Sequence, residues 1–331
     1  MSVYLTNSID LMDGLGAQVQ RRLEIYFLSR HLGVNFSLLP ISNFDSNYGD
    51  GLRNQYEKAV ELSRIHNFFP IETKNNNPDE MINSALVDKF ISNLSWRKLT
   101  IAIRLINVFS KILRRNVLVT LPKPHKLNLR MDKLLENLDL KEQKTPNSEV
   151  EILIHLPWAR NSLLPDRYVP LKWYKDLLHI ITTFLEDHKI KYKIIIHTDA
   201  SPNLDRQKEE IWVSPETQEY WKSSGNVPFI ESLSYANLNV DLEFQDFKNL
   251  TILQNITPAQ VWKTFFNKSI LILSNSSLSH VGAMLHNNYI VGFIPDNKPY
   301  PLPRILPLNI SEIDSSIILS TLQKKFTFPQ Q

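Results

Sequence analysis

Cysteine is absent from all 331 residues, which excludes a disulfide framework, thiolate metal sites and a cysteine nucleophile. Glycine is scarce, 8 residues against 19 prolines, so few turns rely on it and any glycine pair beside a strand end stands out. No apolar run approaches the roughly 20 residues of a membrane-spanning helix. Met1–Asp10 has neither the basic start nor the apolar centre of a secretory leader, so a cytoplasmic protein is expected. What remains is 43% hydrophobic and 21% charged, a globular composition with length for two domains of about 150 residues each.

The net charge of +3 is unevenly spread. Between Asp88 and Asp132 there is no acidic residue, while Lys89, Arg97, Lys98, Arg104, Lys111, Arg114, Arg115, Lys123, Lys126 and Arg130 all fall there. Such a field attracts phosphates, nucleic acid or an anionic membrane surface. Trp96–Arg115 reads as a helix with Arg97, Arg104 and Lys111 at seven-residue spacing, continued by Arg114 and Arg115. Leu99, Ile103, Ile106, Phe109 and Leu113 occupy much of the rest. Two readings fit: a helix lying on an anionic membrane, or a surface helix packed on its own domain with a solvated basic stripe. No zinc-finger or RNA-binding aromatic motif accompanies the charge, so nucleic acid is not the expected partner.

Along the chain, Val3–Thr6 reads as a strand, Gly14–His31 as a helix stopping at Gly33, and Val34–Leu39 as a strand. Helical patterns follow over Gln55–Phe68 and Met81–Arg115, then a strand at Val117–Leu121. Lys141–Ser148 is polar and Pro-containing, a linker. Beyond it, strands at Val150–Leu156, Tyr192–His197, Leu250–Leu253, Ser269–Leu273 and Tyr289–Ile294 alternate with helices at Leu171–His188, Pro258–Asn267 and Ser277–His286. Short apolar runs alternating with helices predict a buried parallel sheet, a doubly wound α/β domain that binds ligands at the carboxyl ends of its strands. The expected division is residues 1–147, 148–310, and a terminal helix and tail over 311–331.

Four segments carry candidate chemistry. Asp13-Gly14-Leu15-Gly16-Ala17-Gln18 joins the first strand to the first helix, where glycines admit a ligand to the backbone and the helix start favours an anion. The third glycine of a dinucleotide fingerprint is replaced by Val19 and no acidic residue ends the second strand, which disfavours a nicotinamide cofactor. Ser274-Asn275-Ser276-Ser277-Leu278-Ser279 follows a buried strand where a helix begins; one serine serves as a cap, and four exceed that need. His197-Thr198-Asp199 closes another strand. His155-Leu156-Pro157-Trp158-Ala159-Arg160 and the nearby Arg167 gather basic groups on the same edge.

In this order the segments resemble GT-B glycosyltransferases close to the fucosyltransferase superfamily. Those proteins carry a D-G-L-G-A-Q-like loop, H-x-R-R-G-D, a helix start like Pro170-Leu171-Lys172-Trp173-Tyr174, a strand ending in T-D and an S-x-S-S-F-S segment. The resemblance implies two Rossmann-like domains facing a cleft and a nucleotide-sugar donor such as GDP-fucose held by the second. It implies a glycan or lipid-linked saccharide acceptor on the first. Carried over by position, His155 contacts the nucleotide, Ser276, Ser277 and Ser279 form the phosphate cradle, and Asp199 is the strand-end acid. His197, Gly14, Gly16 and Gln18 complete the binding set. The arginine pair of the motif falls on Pro157 and Trp158. A cation for the leaving diphosphate must then come from Arg160 or Arg167. Asp13 is the expected base. Without a D-x-D motif (Asp241-Leu242-Glu243 does not supply one) neither metal nor cofactor is expected. A non-catalytic nucleotide- or glycan-binding relative is the alternative that Pro157 and Trp158 leave open.

Overall fold

Runs such as Ile152-Leu153-Ile154 and Ile194-Ile195-Ile196 offer no polar face to water, so their strands need cover on both sides. In the computed structural model, which describes residues 2–7, 15–37, 41, 62, 81–83, 96–121, 149–157, 169–199, 238–254, 256–286, 289–297, 300 and 302–326, they receive it. The expected helix Gln55–Phe68 and the linker Lys141–Ser148 lie outside the described residues, Leu62 apart. The chain forms two compact units, each around one wholly parallel sheet.

The first unit contains β1 (Val3–Asn7), α1 (Leu15–Leu32), β2 (Asn35–Phe36), β3 (Met81–Asn83), α2 (Trp96–Ile112) and β4 (Asn116–Leu121). The strand order is β2-β1-β4-β3. Helix α1 ends at Gly33, whose φ of +64° continues the chain through the left-handed region at little cost. Val3, Leu5, Leu23, Leu28, Leu99, Ile103 and Val119 fill the core. Asn107 of α2 and Asn116 accept hydrogen bonds from the backbone N–H of Val3 (3.3 Å) and Ser2 (3.1 Å), fixing the helix and β4 to the start of β1. The helical pattern read from Met81 onward is corrected at its start. Met81–Asn83 is a strand in register with Asn116–Leu118, and the helix begins at Trp96. Three residues carry too little periodicity to separate strand from helix, and pairing with β4 decides.

The second unit runs β5 (Val150–Leu156), α3 (Leu171–Asp187), β6 (Tyr192–Thr198), α4 (Val240–Glu243), β7 (Leu250–Gln254), α5 (Pro258–Thr264), β8 (Ile270–Ile272), α6 (Ser277–Leu285), β9 (Val291–Pro295), β10 (Ile305–Leu308) and α7 (Ser315–Lys325). The order β10-β9-β8-β5-β6-β7 means that the chain winds outward from β5 to β7, returns to the other side of β5 at β8, and winds outward again. That reversal is the switch point of a doubly wound sheet. Alternation along β5 sends Ile152, Ile154 and Leu156 to one face, packed with Trp173, Leu177 and Ile181 of α3 and Ile318 and Leu322 of α7. Leu153 and His155 turn to the other face, where His155 lies 6.5 Å from the ring of Phe265. Trp262, from the same segment, donates its indole N–H to the carbonyl of Leu278 at 3.2 Å, joining α5 to α6. Asp241-Leu242-Glu243, set aside above as a metal motif, is the body of α4, capped by Asn239 accepting from the Leu242 N–H at 3.2 Å. Strand β10 was not expected from the sequence.

Helix α6 approaches α5 closely because Gly282 has no side chain: a Cβ there would sit 2.5–2.7 Å from the buried Phe265 ring. Gly282→Ala should therefore destabilise the protein by roughly 1–3 kcal/mol through overpacking, read as a lower denaturant midpoint with unchanged slope. Adding Phe265→Leu should recover part of the loss; an alanine variant as stable as the parent would contradict the packing.

Candidate functional site

Strands β5, β6 and β8 end on one edge, and their register decides what meets there. His155 lies opposite His197, and Ile154 opposite Ile272, so the segment after β8 passes His155 directly. The two imidazoles stack at 4.9 Å with planes 8° apart. Nδ1 of His155 lies 3.1 Å from Ser274 Oγ and 2.5 Å from Ser279 Oγ. The two hydroxyls are 2.9 Å apart, and the Ser274 N–H donates to Ser279 Oγ at 3.4 Å. All three side chains are buried, so this is a closed polar triangle binding β5 to both ends of the turn into α6.

Burial sets the charge of these rings. It holds His155 well below the usual imidazole range, helped by neighbouring His197 and His280, and it pushes His197 down to about 4. Both are neutral at pH 7. Neither supplies positive charge to a ligand.

The four serines divide their work. Ser274 and Ser279 belong to the triangle. Ser276 is the N-cap of α6, its Oγ accepting from the Leu278 N–H at 3.2 Å. Ser277 is half-buried at the first helical position, and its hydroxyl has no hydrogen-bond partner among the described residues. Beside it, buried Asn275 donates its amide to Oδ1 of Asn297, beyond β9, while Asn275 Oδ1 and His197 Nδ1 are buried with no hydrogen-bond partner among the described residues. Each such atom costs about 1–3 kcal/mol unless something completes its bonding. His280 stacks on Tyr300 at 4.5 Å with planes 10° apart. The opposite end of the sheet has its own charge cluster: Glu151, at the start of β5, pairs with Lys193 and Lys268.

The carboxyl edge of the second sheet thus brings together His155, His197, Asp199, Ser276, Ser277 and Ser279 of the expected set, with Asp199 half-buried just past β6. Gly16 and Gln18 belong to the first turns of α1 in the other unit, both buried, with the Gln18 carbonyl accepting from Arg22 at 3.2 Å. Asp13, Gly14, Arg160 and Arg167 lie outside the described residues. Sequence reasoning missed the parts played by Asn275, His280, Asn297 and Tyr300. Polar residues directly after the buried runs 270–273 and 291–295 were the available signal.

Fold and site define a doubly wound α/β unit with a serine-lined helix start at its switch point. No family model matches the chain, and no curated protein matches it. Among solved structures, it is similar to Methanocaldococcus jannaschii UDP-GlcNAc 2-epimerase in complex with UDP-GlcNAc and UDP, at 9% identity and a TM-score of 0.35, covering 99% of this chain and 94% of that one. It is also similar to the E. coli heptosyltransferase WaaC with ADP, at 10% identity and a TM-score of 0.40, covering 98% and 100%. With ADP-2-deoxy-2-fluoro heptose, WaaC gives 12% identity, a TM-score of 0.37 and coverage of 98% and 99%. These likenesses assign no activity.

The lowered histidines tie stability to pH. An unfolded histidine takes up its proton near pH 6.5, whereas folded His197, and His286 likewise held at about 4 by burial, do so far lower. Between these values the unfolded state binds more protons, so stability should fall as pH drops from about 6.5 to about 4. Urea midpoints across this window measure the slope, and His197→Asn should flatten it. The same slope in His197→Asn and in His286→Asn would contradict neutral burial.

Proposed function

We propose that the chain transfers a sugar from a nucleotide-sugar donor, fucose-like as in GDP-fucose, to a glycan or lipid-linked saccharide. The observation that carries the reading is the start of α6 at the switch point, with Ser277 and two unsatisfied buried polar atoms, Asn275 Oδ1 and His197 Nδ1, beside it. The ordered motifs that resemble the fucosyltransferase superfamily support it. The diphosphate binds the free N–H groups of the first turn of α6 with the hydroxyls of Ser276 and Ser277. His155 and Ser279 are positioning residues that hold this turn. The acceptor oxygen attacks the anomeric carbon as its bond to the diphosphate breaks. Asp13 takes the acceptor proton, and the nucleoside diphosphate departs. Because His155 and His197 are neutral, the helix dipole and an arginine must balance the leaving charge. Arg160 is assigned this role, with Arg167 second. No metal takes part in this scheme, which follows from the missing D-x-D motif, so chelation should leave transfer intact.

Titration with GDP, UDP, CDP and dTDP and their sugars tests the donor site. Ser277→Ala and Ser276→Ala should each weaken nucleotide binding, together by roughly 1–3 kcal/mol, with the fold retained. Unchanged affinity in a folded double variant would overturn the site. Arg160→Ala should cut turnover by about 10²-fold or more, and Arg160→Lys should restore only part, since a point charge replaces a two-pronged donor. The rival reading, a non-catalytic nucleotide- or glycan-binding relative, predicts nucleotide binding with neither donor hydrolysis nor transfer.

A further inference from the structure

Helix α2 has two apolar sides. Leu99, Ala102 and Ile103 are buried in the first unit, and Ser110 is buried with them. On the opposite side Ile101, Leu105, Val108, Phe109 and Ile112, with Leu113 just past the helix, are all more than half exposed, rising to 68% at Ile112. The spacing of these residues forms one continuous stripe over about three turns. Scattered exposed apolar side chains are ordinary, but a contiguous row of six marks a surface that meets something.

Charge says what. Lys98 precedes the stripe, Arg104 and Lys111 run along one flank seven residues apart, and Arg114 and Arg115 follow its end; all five are exposed. No acidic residue interrupts residues 89–131. The side chain of Arg97 lies outside the described residues. The apolar face read from the sequence is redistributed, since Leu99 and Ile103 face the protein whereas Phe109 and Leu113 face out.

We infer that the outer face of α2 docks on an anionic lipid bilayer, its apolar stripe entering the acyl boundary and its five cations meeting the headgroups. This surface combines both requirements of a helix lying in the membrane interface. A second copy of the chain is a poor occupant, because stacking two such faces sets five cations against five. Nucleic acid would pair with the cations but leave six apolar side chains in water. The inference does not depend on the transferase reading, and its test uses no nucleotide.

Full-length protein is sedimented with phosphatidylcholine vesicles and with vesicles containing about one third phosphatidylserine. Binding is expected only to the anionic vesicles, with a large loss at roughly 0.5 M salt, where the Debye length falls below the reach of headgroup attraction. Leu105→Ser with Phe109→Ser and Ile112→Ser should lower partitioning at least about 10-fold, as should Arg104→Glu with Lys111→Glu. Because every substituted side chain is exposed, both variants should unfold at the parent's temperature, which separates lost docking from lost folding. No binding, or equal binding to neutral and anionic vesicles, overturns the inference. So does a concentration-dependent dimer that the serine variant abolishes, which would give the face to a second copy.

Discussion

The shared bond between His155 Nδ1 and the hydroxyls of Ser274 and Ser279 ties the end of β5 to the chain leaving β8, where the winding of the second sheet reverses. At a switch point the connections leaving β5 and β8 go to opposite sides, so backbone pairing alone does not fix the turn beyond β8. The triangle does, with one side chain from β5 held between two from the turn. Its low-dielectric setting strengthens each bond and forbids charge on the ring. A histidine inside the run Ile152-Leu153-Ile154-His155-Leu156 is therefore consistent with its apolar neighbours, because it is neutral and fully engaged at Nδ1.

The rest of the site inherits its geometry from this tie. Once Ser274 and Ser279 are fixed, Ser276 falls at the N-cap, and the first turn of α6 presents its free N–H groups at the carboxyl edge. Trp262 holds the same turn from α5 through the Leu278 carbonyl, and Gly282 lets the two helices approach. Nδ1 of His155 and the Ser279 hydroxyl are engaged within the fold, whereas Asn275 Oδ1 and His197 Nδ1 have no hydrogen-bond partner among the described residues.

Much of the second unit was legible because its signals are strong and local. Val150–Leu156 matches its strand residue for residue, and the helix expected at Leu171–His188 ends one residue earlier, at Asp187. The strands expected at Ser269–Leu273 and Tyr289–Ile294 are found at Ile270–Ile272 and Val291–Pro295. Strands β3 and β10 were missed since three or four residues show no period of their own and become strands only by pairing. The serine cluster was legible as a cluster, but not its division of labour. Ser279 meets His155 across 124 positions of sequence, and only the β5–β8 register shows that it belongs to the core. In α2 the apolar residues were read as one stripe; with a core face and an outer face both apolar, periodicity cannot say which is which.

The two anion-binding features proposed above rest on different physics. Near α6 the rings are neutral, and attraction for an anion comes from oriented N–H groups and hydroxyls, which act only over the first turn but suffer little from salt. Around α2 the attraction comes from net charge on solvated side chains, which reaches about a Debye length and is screened. The first mechanism suits a ligand held in fixed geometry; the second suits a broad, fluid surface with no fixed donor positions. Apolar side chains complete the second, because solvated cations alone bind weakly and without depth, and the stripe on α2 supplies the burial they lack.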